Sequence, residues 1–337
     1  MINFIQFTLT RAFLSIVTLL IVCFIVFSLM ELVPGTCAER YLAFKNTQGS
    51  QITFEDIAAE EKRLGLDKPF LYRYTKWVSD IVIKQDFGDS CILRISINEL
   101  LSGRFVLSLT IAITALLFSY AIAIPVGIIS ATTKYASLDN ALKFISYLGI
   151  ALPNFLVALC IMLFMTVYYG DTMTGLFSQE YENAPWSTAK VQDFLSRAWL
   201  PIFVLGWNAT AFALQTVRAL MLDENDKLYV MAARARGVSG MSLLWRYPAK
   251  HSLGPVINSI GFDLNRIFSA LPVVALILIL TEAGALLIEA LARSNDQQLA
   301  GAIIFLLTAT IVFVNFVTDI ILAIMDPRIR KGVMGGS

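Results

Sequence analysis

The chain has 337 residues, 57% of them hydrophobic and 15% charged, with 26 Lys and Arg against 25 Asp and Glu. Soluble domains carry about 25% charged residues, so this composition cannot clothe an ordinary globular core in polar surface, and lipid must cover part of it. A formal net charge of +1 excludes a generally basic nucleic-acid binder and leaves every charge argument local.

A helix that crosses a bilayer needs roughly 20 mostly apolar residues. Six stretches supply them: 12–32, 105–131, 141–169, 199–222, 256–280 and 299–325. Backbone polar groups must be satisfied inside hydrocarbon, and these runs show no two-residue alternation, so each is expected to be a helix and not a barrel strand. The expectation is an all-α integral membrane protein with six transmembrane helices. Residues 1–32 hold the N-terminal helix, 33–98 form a small outer subdomain too polar to span, and 99–337 form a five-helix core. The first run is longer than the apolar centre of a signal peptide (about 7–15 residues) and no small-x-small pattern follows it, so it is expected to be retained.

In the outer segment, 55–64 and 69–84 read as helices. Cys37 and Cys91 fall near its two ends. An oxidising compartment would permit a disulfide between them, provided their Cα atoms approach within about 7 Å. Cys23 and Cys160 fall in spans, where thiols behave as small apolar groups.

Lys and Arg gather on the cytoplasmic side of membrane proteins. Arg11, Lys134, Lys143, Lys227, Arg234, Arg236, Arg246, Lys250, Arg328, Arg330 and Lys331 fall on one side. Asp171, Glu180, Glu182 and Asp193 fall on the other, against Lys190 and Arg197. Both termini are therefore expected inside, which requires an even number of spans.

The inner loop 223–251 is far longer than a turn between two helices. It reads as two short helices, 226–236 and 239–250, broken at Gly237. Gly237 suits a left-handed C-terminal cap and Ser239 an N-cap. A short helix lying across the membrane face suits docking in a groove of a soluble partner; the same residues also fit a solvated basic loop. In the fifth run, Asp263 and Arg266 stand three apart on one helix face. Ionisable residues in a span are expensive and face protein or water, so the pair fits either a polar passage or an ion pair between helices. Asn315 and Asp319 stand four apart near the inner end of the sixth run. His251 is the only histidine, so a metal site is not expected, and no catalytic constellation assembles on one side of the membrane.

Tyr229-Val-Met-Ala-Ala-Arg-Ala-Arg-Gly237, followed by Arg246 and Pro255, resembles the coupling loop of permease subunits of ATP-binding-cassette importers, in the peptide/nickel branch (the dipeptide/oligopeptide permease family). Arg11 before the first span, Val33-Pro34-Gly35, Leu64-Gly-Leu-Asp-Lys-Pro69, Asp86-Phe-Gly-Asp-Ser90, Ile124-Pro-Val-Gly127, and Asn315, Asp319 and Asp326-Pro-Arg-Ile-Arg330 follow the family's order. The family shows residues similar to Asn315 and Asp319, which implies that they pack on a neighbouring helix. The resemblance implies the type I importer permease fold in a bacterial inner membrane. It implies half of a translocation pathway for peptides or similar small polar solutes, worked by alternating access, with nickel or oligosaccharides as alternative cargo. Partners would be a second homologous permease subunit, two cytoplasmic ATPase subunits, a periplasmic or lipid-anchored solute-binding protein and membrane lipid, with no nucleic acid. ATP and Mg would sit on the ATPases and no cofactor on this chain, which is expected to be non-catalytic and has no phosphate-binding Gly-x-x-x-x-Gly-Lys-Ser/Thr loop. Tyr229, Ala233, Arg234, Ala235 and Gly237 match the coupling motif and are expected at the ATPase contact.

Three departures stand out: Lys227-Leu228 where the family carries an acidic residue, Gly254-Pro255 for its Leu-Pro, and loss of its pattern over 276–285, near the outer gate in the family. The competing reading is an ion-coupled secondary transporter with Asp263 and Asp319 as coupling carboxylates.

Overall fold

Long apolar runs close their backbone hydrogen bonds within themselves. In the computed structural model the chain is accordingly helical, and among the described residues the only β feature is an isolated bridge between Asp89 and Ser96. The structure describes residues 2–32, 35–47, 53–133, 135–170, 172–182, 184–294 and 296–325. Val33, Pro34, Lys134, Asp171 and the closing motif Asp326–Arg330 lie outside the described residues, as does Lys331.

The helices in chain order are α1 (Ile2–Glu31), α2 (Cys37–Thr47), α3 (Phe54–Leu64), α4 (Phe70–Ser79, continued by a π turn over Asp80–Lys84), α5 (Ile97–Leu101), α6 (Arg104–Thr132), α7 (Ala136–Ala151), α8 (Asn154–Tyr169), α9 (Thr188–Asn225), α10 (Leu228–Ala235), α11 (Gly240–Arg246), α12 (Pro248–Leu278), α13 (Ala283–Ile288) and α14 (Gln297–Met325). Among the described residues, five stretches are long and apolar enough to cross a membrane: Phe4–Leu29, Ile97–Thr132, Thr188–Asn225, Pro248–Leu278 and Gln297–Ile324. The stretch 141–169, expected as one helix, is two. Ser137–Ala151 and Asn154–Tyr169 meet at 102°, and they make a sixth crossing if the pair is one span. The break falls where Pro153 lacks an N–H and disfavours helical backbone in the residue before it; Leu152 is extended at φ −86°, ψ 122°.

The chain forms two compact units. One comprises, among the described residues, 2–13, Leu109–Leu280 and 313–325. Its core is the buried face of α9 (Leu200, Val204, Leu205, Val217, Met221) with that of α12 (Leu264, Ile267, Leu271, Val274, Leu278). Between helices in lipid, small residues let backbones approach and side-chain hydrogen bonds join them. The α7–α9 contact follows this rule: Ser146 donates to Ala211 O (2.9 Å), Asn208 Nδ2 to Gly149 O (3.2 Å), and Arg218 grips both carboxylate oxygens of Asp139 at 2.9 Å. A Cβ on Gly149 would lie 2.7 Å from Ala211 Cβ, and neither atom can swing away. Gly149→Val is therefore expected to lose about 1–3 kcal/mol to overpacking. Gly254→Ala in α12, where an added Cβ meets nothing within 4 Å, should be neutral or stabilising by about 0.5–1 kcal/mol. Thermal unfolding of the two purified variants in one detergent checks the contrast.

The other unit comprises Leu14–Ser108 and Thr281–Val312. Here α4 lies along α1: the Phe24 ring meets Phe70 and Tyr74 at 5.6 and 5.2 Å, and the Tyr74 hydroxyl donates to Leu20 O at 2.9 Å. Helix α3 opens on a capping box between Thr53 and Asp56 and closes on Gly65 at φ 69°. A disulfide joins Cys37 to Cys91, with Cα atoms 6.3 Å apart. Arg94 donates to Glu60 (2.6 Å) and lies 4.0 Å over the Tyr41 ring, joining α2, α3 and the 86–96 loop. The buried Asp296 carboxylate accepts from Ser90 Oγ (2.5 Å), Cys91 N (2.9 Å) and Leu299 N (3.1 Å). Over 276–285, where the family pattern is lost, Glu282 caps α13: it accepts from Gly284 N and Ala285 N at 2.7 and 3.1 Å, and from the Ser108 hydroxyl.

Candidate functional site

Two arrangements in the first unit concentrate chemistry. The first is the hairpin of α10 and α11. Helix α10 ends in a paired-bond cap: Gly237 N donates to Arg234 O (2.9 Å) and Val238 N to Ala233 O (3.1 Å). This geometry needs a left-handed residue after the helix, and Gly237 supplies it at φ 87°. Ser239 precedes α11 in extended conformation, but its hydroxyl makes no capping bond. The second helix ends earlier than expected, and Lys250 belongs to α12. Val230, Ala233 and Leu243 form a small buried core, with Tyr229, Val238 and Tyr247 packed around it. Tyr229 donates to the Glu224 carboxylate, and its ring lies 5.0 Å from that of His251. Burial and that carboxylate push the Tyr229 hydroxyl above its usual pKa.

The five motif residues therefore separate. Arg234, Ala235 and Gly237 are on the surface, Tyr229 is half-buried, and Ala233 is fully buried. Ala233 is committed to packing α10 on α11, so no surface contact is available to it, contrary to the expectation. Sequence reading missed the exposed apolar side chains beside the motif: Leu228, Met231, Met241 and Trp245 are 79, 47, 62 and 47% exposed. They stand among the exposed cations Lys227, Arg234, Arg236 and Arg246. Apolar residues in short helices framed by charge were the available signal.

The second arrangement surrounds Asp263 and Arg266 on α12. The two pair at 3.0 Å, but unequally: the Asp263 side chain is 4% exposed and that of Arg266 44%. Asp263 Oδ2 accepts from the Tyr120 hydroxyl of α6 at 2.6 Å, and Ser259 Oγ lies 2.9 Å from that hydroxyl. The Arg266 guanidinium carbon sits 3.8 Å from the centre of the Phe212 ring, a close cation–π contact. Arg266 opens on a cavity of about 440 Å³ whose wall includes Asn154, Phe155, Asn208, Asn265 and Ser269. Tyr120 and these asparagines were not singled out from sequence. Their signal was polarity inside apolar runs, which is costly unless used. Asp319 does not join this group; it pairs with Arg11 at 3.2 Å. Nor does Asn315, whose amide occupies the space a Cβ on Gly261 would need.

Residues 123–331 match the family model described as binding-protein-dependent transport system inner membrane component. Residues 4–95 match a second model, for the N-terminal part of such membrane components. The oligopeptide transport system permease protein AppB of Bacillus subtilis (strain 168) is 28% identical over 325 residues, covering 96% of this chain and 99% of that protein. The inner membrane ABC transporter permease protein YejB of Escherichia coli O157:H7 is 30% identical over 281 residues, 82% and 76% of the two chains. The dipeptide transport system permease protein DppB of Escherichia coli (strain K12) is 25% identical over 341 residues, 96% and 98% of the two. Among solved structures, a chain of the MetNI methionine ABC transporter, determined in inward-facing conformations, superposes with a TM-score of 0.54 at 16% identity, over 68% of this chain and 97% of that one. At that identity the likeness concerns the fold.

Proposed function

The chain belongs to the family of binding-protein-dependent transport system inner membrane components, and from that premise we propose that it forms half of the passage of an importer for peptides or similar small polar solutes. It is a multi-pass permease subunit. The α7–α8 pair serves as one bent crossing, which brings the spans to six and leaves both termini in the cytoplasm. Residues 33–98 stand outside as a small subdomain. A second, homologous permease completes the passage, two cytoplasmic ATPases hydrolyse ATP, and an external solute-binding protein delivers cargo.

The observation that carries this reading is the surface of the α10–α11 hairpin, where Leu228, Met231, Met241 and Trp245 are exposed among arginines. Exposed apolar side chains interspersed with cations on two short helices suit a groove on a soluble partner. Through it the ATPases would shift the spans between inward- and outward-open states. Nucleotide can bias that equilibrium only by binding the two states with different affinity. Arg234, Ala235 and Gly237 face the partner in this account, while Tyr229 and Ala233 hold the hairpin's shape. Asp263 and Arg266 border the passage. Uptake of labelled trialanine by cells that express the complete system should fail on ATP depletion and survive an uncoupler. Uptake that stops with the uncoupler while ATP is maintained would favour ion coupling and contradict the proposal.

A further inference from the structure

The cavity beside Arg266 has an electrostatic asymmetry that bears on which part of a solute it holds. Asp263 is spent: both carboxylate oxygens are engaged, by Tyr120 and by Arg266, and the side chain is almost wholly buried. Arg266 is not. Its Nη1 donates to Asp263 and its flat face rests on Phe212. The Nε–Nη2 edge makes no hydrogen bond among the described residues. That edge is one of the two forks through which a guanidinium grips a carboxylate with paired bonds. Phe212 and Asp263 together fix the plane and rotation of the group, so the fork is set in place before any ligand arrives.

The neutral wall adds acceptors. Asn154 Oδ1 is buried and has no hydrogen-bond partner among the described residues. Asn208 spends its Nδ2 on Gly149 O, which leaves its own carbonyl oxygen without a bond among the described residues. A buried polar atom without a partner is costly and calls for a ligand or water. One oriented guanidinium edge beside unpaired amide oxygens matches a carboxylate next to an N–H donor. The last residue of a peptide presents that pair.

We infer that this cavity is a subsite for the C-terminal carboxylate of a peptide in transit, gripped by the Nε–Nη2 edge of Arg266, with Asn154 accepting from the adjacent peptide N–H. The inference rests on the reading of the chain as a peptide importer subunit and assigns the polarity of recognition inside it. Arg266 is then a specificity-determining residue, and Asp263, Tyr120 and Phe212 are positioning residues.

The test uses the assembled transporter, both permeases and both ATPases, in lipid nanodiscs without solute-binding protein, so that only the membrane site selects. Saturation-transfer NMR measures binding of trialanine and of trialanine amide, which lacks the terminal charge. The wild type should bind the free acid roughly ten- to a hundredfold more tightly, the range of a hydrogen bond to a charged group. Arg266→Gln should abolish that preference with little effect on the amide. Arg266→Lys, which keeps the charge without the fork, should retain only part of it. Asn154→Ala should weaken both peptides by the same factor. Equal binding of the two peptides by the wild type would overturn the inference, as would equal loss of both in Arg266→Gln or an unaltered preference in Arg266→Lys. ATP-driven trialanine uptake by the same complex with its solute-binding protein is measured in parallel. Absence of uptake with the binding preference intact would overturn the importer reading and leave the subsite standing.

Discussion

Replacing Gly237 by Asp should separate ATP hydrolysis from transport, reducing ATP-driven uptake at least tenfold while the chain still folds and assembles in the membrane. The fold tolerates the change because of where the glycine sits. Its φ of 87° costs a non-glycine residue about 1–2 kcal/mol, and Asp is among the side chains that accept it best. An added Cβ meets no atom within 4 Å, and the Val230–Ala233–Leu243 core is untouched. The new carboxylate instead projects from the exposed turn, on the surface proposed to dock. Burying an unpaired charge at an interface costs several kcal/mol, so the defect should appear as lost coupling and not as lost protein. Gly237→Asn makes the backbone control: it accepts the same φ without the charge and should keep most of the uptake. Wild-type uptake by the Asp variant would refute the role given to this surface.

Removing the Cys37–Cys91 disulfide should loosen α2 and α3 by up to about a thousandfold in hydrogen exchange. The bond closes a loop across a sequence separation of 54. In the chain-entropy account such a loop contributes about 4 kcal/mol, and exchange protection reports local opening on the same scale. Within that loop, α3 has little else to hold it. No residue of α3 is fully buried, and its other ties are the Arg94–Glu60 pair and the bond from Thr36 Oγ1 to Glu61 at 3.2 Å. Deuterium uptake of the Cys37→Ser/Cys91→Ser variant, followed by mass spectrometry, should rise over 37–64 and stay unchanged in the core of α9. Unchanged uptake over 37–64 would show that the polar ties suffice.

Much of this architecture was legible because lipid imposes a simple rule on sequence. Runs of apolar residues longer than a bilayer is thick must be helices, and α1, α6, α9, α12 and α14 follow from that alone. The bend at Leu152-Pro153 was hidden in such a run: hydropathy sees 141–169 as continuous, although the proline was its local marker. The left-handed cap at Gly237 was readable because only glycine adopts that conformation freely. The division of the coupling motif was not. Whether Ala233 faces partner or hairpin depends on how α11 folds back over α10, a tertiary fact that no spacing within α10 encodes. The Asp263–Arg266 pair followed from a separation of three residues. Its asymmetry arises from Tyr120 and Phe212, which come from other helices, 143 and 54 positions away from their partners in the chain.

The most direct test is reconstitution. The chain is purified alone and with its partner permease and ATPases, and each preparation is placed in vesicles with solute-binding protein and labelled trialanine. Uptake is expected only with the full assembly and hydrolysable ATP. Accumulation of the peptide by vesicles holding this chain alone, without nucleotide, would contradict the account.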